Sequence, residues 1–248
     1  MSRRFCRRAA IAAILLALSA APALAQSVTF DLGEGGGSTT GRIVQLVALL
    51  TVLSLAPAIL VTVTSFTRII VVLSFLRNAL GVQSTPPNIV LVSLALFLTG
   101  FIMSPTLEKS YNDGIAPLIA EKITETQALD LAAAPFHDFM SGHVRGQDVE
   151  LFAGIAKLDV AAEAKDVPFR VLVPAFMISE LRRAFEIGFL LFLPFLIIDM
   201  VVASILMSMG MMMLPSAMVS LPFKIVFFVL VDGWYLIAGS LVQSFGPS

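Results

Sequence analysis

The residues that could do chemistry in this sequence are few. His137 and His143 are its two histidines, six positions apart, and neither an H-E-x-x-H spacing nor a cysteine accompanies them. Its single cysteine, Cys6, precedes the first apolar run, where it is neither a metal ligand nor a lipid-attachment site. Gly33, Gly35, Gly36, Gly37 and Gly41 have the outline of a phosphate-binding loop. However, Arg42 and Ile43 stand where Lys and then Ser or Thr are needed, and no strand pattern leads in. The reading is therefore solvated histidines and a glycine-rich linker, with no catalytic, cofactor-binding or metal-ligating residues and no enzymatic activity.

What remains are charges set among apolar residues. Asp199 and Lys224 flank a turn between Gly210 and Pro215, and the midpoint of their numbers falls inside it. On an antiparallel helical hairpin they stand at equal depth, about 18 Å from the tip at 1.5 Å per residue. Charges in apolar surroundings persist when partnered, so an ion pair is expected, within one subunit or between neighbours, with Asp232 as a competitor for Lys224. A second cluster, Glu180, Arg182, Arg183 and Glu186, lies largely opposite an apolar stripe of Met177, Ile178, Leu181, Phe185, Gly188 and Phe189. Such charges fix register and partner choice, and we expect them at a subunit interface or its polar rim.

The elements that position these groups follow from composition. Of 248 residues, 58% are hydrophobic and 13% charged, with a mean hydropathy of +0.94, against about 25% charged in ordinary soluble domains. A net charge of -1 with no basic stripe argues against a nucleic-acid partner. Residues 1–25 read as a cleavable signal peptide. Arg3, Arg4, Arg7 and Arg8 form the basic start, an apolar run too short to span a bilayer follows, and Ala23-Leu24-Ala25 supplies the cleavage site before Gln26. Residues 26–42 read as a flexible leader.

Residues 43–107 hold two uncharged runs, one interrupted by Pro57 and the other expected to become helical near Asn88, after Pro86 and Pro87. Arg68 and Arg77 lie between them, which assigns that connection to the cytoplasm. Residues 108–173 form a helical insert; eleven acidic against five basic residues between Glu108 and Asp166 suit the extracytoplasmic side. Residues 174–248 read as an amphipathic helix opened by Pro174, then two apolar helices, about Glu186 to Met209 and Leu221 to Val242. The fold class is all-α: a helical membrane protein with about four long apolar helices arranged as hairpins, plus the insert.

Several segments resemble one family in order along the chain. Pro174-Ala-Phe-Met-Ile-Ser-Glu-Leu-Arg-Arg-Ala-Phe-Glu-Ile-Gly188 and Pro194-Phe-Leu-Ile-Ile-Asp199 look like the FliP signature. Leu53 to Leu60, Thr64 to Ile70, Leu76 to Gly81, Ala95 to Thr99 with Met103-Ser-Pro105, Leu221 to Ile225 and Val231 to Trp234 complete the set. The resemblance implies a subunit of the flagellar type III protein-export gate. It would form a five-copy helical ring of FliP with FliQ and FliR in the bacterial inner membrane, at the flagellar basal body. FlhA and FlhB would be neighbouring membrane partners and unfolded polypeptides the cargo.

The resemblance also implies that Met211, Met212 and Met213 form a gasket around the pore. Flexible, unbranched apolar side chains converging from a ring can close a hole and then yield to varied cargo. Two alternatives stand beside this reading. One is the injectisome gate subunit, which usually lacks a signal peptide. The other is a small-molecule transporter, to which Pro57 and Pro194 would contribute broken helices.

Overall fold

The structure, a computed structural model, describes residues 39–82, 84–158, 167–211 and 213–246. The expected signal peptide with Cys6, and most of the glycine-rich leader, lie outside them. The chain divides into two units, Met1–Thr51 and Val52–Ser248. Among the described residues all regular structure is helical. Helix α1, Thr39–Thr62, begins inside the stretch read as leader and runs through Pro57.

Helix α2, Phe66–Leu80, is the basic connection of the sequence reading, and it is the most deeply buried element of the second unit. Ile69, Val72, Leu73, Leu76 and Ala79 recur at helical spacing and are inaccessible or nearly so. Arg68 is buried with them, so the positive charge read as a cytoplasmic marker is an interior group. Gly81 ends the helix in a left-handed conformation (φ 77°), with its N–H donated to the Asn78 carbonyl.

Helix α3, Asn88–Ser110, starts directly after Pro87, as the paired prolines require. A π-helical turn, Tyr111–Ile115, and the short α4, Ala116–Ile119, continue it. The insert is helical, as its composition suggests, but in separate pieces: the chain breaks after Ile119, with Glu121 at φ 54°. It restarts at α5, Glu125–His143, where Thr124 and Gln127 form a reciprocal capping box. Helix α6, Gly146–Ile155, follows.

Helix α7, Phe169–Ser208, is one element of 40 residues, whereas the sequence reading divided it into an amphipathic and an apolar helix. Its N-terminal boundary is Pro168, and Pro174 and Pro194 lie within. A proline near the first turn removes a single internal hydrogen bond, which the packing on both sides outweighs. One core, built on Met140, Val149, Ala153, Val171, Leu172, Ala175 and Phe176, seats the insert against the first half of α7. The other joins α2 and α3 to the middle of α7.

The return arm also differs from its sequence reading. Helix α8, Ser216–Leu230, starts ahead of Leu221 and passes through Pro222, and α9, Gly233–Gln243, leaves it at an angle of 63°. The bend has two local causes. Asp232 is left-handed (φ 51°, ψ 54°), a conformation that cannot continue a helix. Gly233 abuts the Phe228 ring so closely that a Cβ would lie 2.1 Å from a ring carbon.

Among the described residues two helical stretches, Asn88–Ile119 and Phe169–Ser208, are long and apolar enough to cross a membrane, with mean hydropathies of 2.0 and 2.6. The bent pair α8–α9 makes a third if counted as one span.

Candidate functional site

The α7–α8 hairpin ends in a tip rich in methionine. Helix α7 is closed there by a Schellman arrangement: Met211 N–H donates to the Leu206 carbonyl at 2.9 Å and Gly210 N–H to that of Met207 at 3.0 Å. Gly210 takes the left-handed position (φ 75°) that such a cap needs. Beyond it Met213 is 98% exposed and Met211 44%, while Met207, Met209 and Met218 are exposed around them. Met212, expected between the two as part of the same triplet, lies outside the described residues. Within the subunit these side chains bury little, so the tip presents apolar, deformable surface outward.

Behind the tip, Lys224 Nζ lies 2.6 Å from Asp199 Oδ2 and donates to the Ala79 carbonyl at 3.1 Å. Ser220 Oγ donates to the other oxygen of Asp199. Lys224 is 5% exposed. It thus links three helices: it pairs across the hairpin and caps the C-terminal carbonyls of α2, where the helix dipole favours a cation. Within the subunit the pair forms across the hairpin, and among the described contacts Lys224 makes none with Asp232.

The cluster on α7 separates into two kinds of residue. Arg182 and Glu186 form an exposed i,i+4 pair at 2.9 Å, with their side chains 56% and 60% accessible, and Arg183 is exposed beside them. Glu180 points inward and is fully buried. Its carboxylate takes Arg68 in a two-pronged grip, Nε to Oε2 at 2.8 Å and Nη2 to Oε1. Burial pushes the Arg68 guanidinium below its usual value, while the hydrogen bond and charge of Glu180 push it back up. An arginine keeps its charge under such opposing shifts.

In the sequence Arg68 was read, with Arg77, as a charge of the connection between two apolar runs and not as a buried partner. Its position in the apolar stripe of α2, one residue before Ile69 and four before Val72, is the signal that could have found it.

A third polar node joins the insert to α7. Asp148, 6% exposed, accepts two hydrogen bonds from Arg145, at 2.8 and 2.9 Å, and one from Ser179 Oγ; that hydroxyl in turn accepts the Arg145 backbone N–H at 3.1 Å. The histidines, read from the sequence as solvated, are instead half-buried and hydrogen-bonded, His137 to a residue 30 positions away. His137 Nε2 lies 2.7 Å from the Val167 carbonyl, and His143 Nδ1 lies 2.7 Å from that of Phe139. Among the described residues no group of three or more His, Cys, Asp or Glu is arranged to hold a metal ion.

Among the described residues, a long outward face of α7 is covered by little beyond the Phe75 ring against Phe185. Phe185, Phe189, Leu190, Ile197, Met200, Val201 and Ile205 are each more than half exposed. Two apolar hollows open nearby: one of about 290 Å³ between α2 and α7, lined by Ile70, Phe75 and Phe185 among others, and one of about 390 Å³ beside α3, lined by Phe66, Leu96 and Met103 among others. Neither brings together the convergent polar groups of a solute site.

A family model described as the FliP family matches residues 49–241. The flagellar biosynthetic protein FliP of Caulobacter vibrioides is 59% identical over 244 residues, covering 96% of this chain and 91% of that protein. Its namesake in Bacillus subtilis is 58% identical over 202 residues, 82% of this chain and 91% of the relative. That of Aquifex aeolicus is 48% identical over 233 residues, 93% and 97%.

Proposed function

This chain belongs to the FliP family, and we propose that it is a core subunit of the flagellar type III protein-export gate, forming with FliQ and FliR the channel through which unfolded flagellar proteins cross the inner membrane. Its relatives are named for flagellar biosynthesis, and its apolar helices suit a membrane component.

The observation that carries the reading is the division of polarity. Buried charges are consumed inside the subunit by Glu180–Arg68 and Asp199–Lys224, while the outward face of α7 and the hairpin tip are left apolar. A lone solute carrier would direct some of those polar groups toward a cavity. A subunit whose apolar face meets other subunits and lipid has no such need.

In this role Met211, Met212 and Met213 from five copies converge as a pore gasket, and Arg182, Arg183 and Glu186 sit at the polar rim between neighbouring subunits. Glu180 contributes to that face from behind, by holding α7 to α2. The acidic insert stands on the periplasmic side, and FlhA and FlhB are neighbours in the export apparatus. The flagellar system is favoured over the injectisome by the names of the relatives and by the signal-like start of the sequence.

Mild detergent extraction of the tagged chain should yield a large complex that also contains FliQ and FliR. Recovery as a monomer or dimer free of both, from cells that make flagella, would refute the assignment.

A further inference from the structure

Arg68 holds more than Glu180. Its Nη1 donates to the Ser244 backbone carbonyl at 3.1 Å and to Ser244 Oγ at 3.0 Å, and its Cζ lies 3.6 Å from the centroid of the Phe245 ring. Phe245 in turn stacks on Phe139, with centroids 6.0 Å apart and planes at 19°, and lies 5.3 Å from the His143 ring. Phe139 continues the contact to Phe176 of α7 at 5.9 Å. Two residues just past the end of α9 therefore touch a cation buried in α2 and an aromatic pair in α5.

We infer that Ser244 and Phe245 form a C-terminal latch, which closes the subunit by completing the partners of Arg68 and clamping the insert to the core. Arg68 is fully buried, and a guanidinium offers five donors. Glu180 occupies Nε and Nη2 and leaves Nη1 facing the tail. Without Ser244 that end of a desolvated cation has no described acceptor, a state more costly than the same donor in water. Phe245 adds the face of an aromatic ring, the one apolar group that attracts a cation.

Docking of Ser244 and Phe245 thus makes the buried charge of Arg68 tolerable only once these two residues are in place. It also carries the order of α9 into the last turn of α5, which no covalent neighbour provides.

Hydrogen exchange on the purified full-length protein tests it. Phe245→Ala should speed amide exchange in the last turns of α5 and α9 on the order of tenfold and leave the middle of α3 unchanged. Phe245→Tyr keeps a ring over the guanidinium and should exchange like wild type, whereas Phe245→Leu keeps only apolar bulk and should lose protection. In an Arg68→Met, Glu180→Met background, Phe245→Ala should have less effect on α9 than in wild type. Unchanged exchange in Phe245→Ala would overturn the latch, and so would equal protection in the Tyr and Leu variants.

Discussion

At the scale of single residues, the charges divide by burial, and burial predicts what each substitution does. Glu180 and Arg68 are both inaccessible, so removing one leaves the other charged in an apolar interior. Glu180→Ala should destabilise the purified subunit by about 3 to 5 kcal/mol in thermal or denaturant unfolding. Arg182→Ala, two residues away, breaks an exposed pair of a kind worth about 0 to 1 kcal/mol and should barely move the midpoint. Similar losses in both variants would mean that the interior pair is not what distinguishes them. Sequence reasoning grouped these residues because they are neighbours in the chain. It could not separate them, since helical phase identifies an inward carboxylate only when its partner is known, and the partner lay 112 positions away.

At the scale of elements, Gly188 lets α7 lie directly against the Phe75 side chain of α2. A Cβ there would lie 2.5 and 2.7 Å from ring carbons of Phe75 and 3.1 Å from its Cβ, and Phe75 is itself held edge-on to Phe185 at 5.0 Å. Gly188→Ala should therefore cost about 1 to 3 kcal/mol through overpacking. A compensating Phe75→Leu should restore much of that loss, as measured by the unfolding midpoints of the single and double variants.

Element boundaries were legible where proline acts at a helix start, as at Pro87 before Asn88. They were obscured where proline is absorbed within a helix, at Pro174 in α7 and Pro222 in α8. The bend at Asp232 escaped notice because an aspartate and a glycine among apolar residues carry no periodic signal. Its cause, the Phe228 ring lying against Gly233, exists only in the folded chain.

At the scale of the whole molecule, apolar composition made a helical membrane protein legible before any element was placed. The same composition hid which apolar faces meet lipid and which meet protein, because the two environments ask for the same side chains. The methionine tip belongs to this scale, since the exposed side chains of Met211 and Met213 are the part of the subunit that the proposed gasket needs to bring together from several copies. Replacing Met211, Met212 and Met213 together by alanine should leave assembly intact and make the membrane leak ions during export. An assembled triple variant no leakier than wild type would remove the gasket role.

The export role itself is tested most directly by secretion. Cells lacking this chain should release no flagellar hook or filament protein into the medium while still synthesising it, and the intact chain supplied in trans should restore release. Secretion that continues undiminished in its absence would contradict the account.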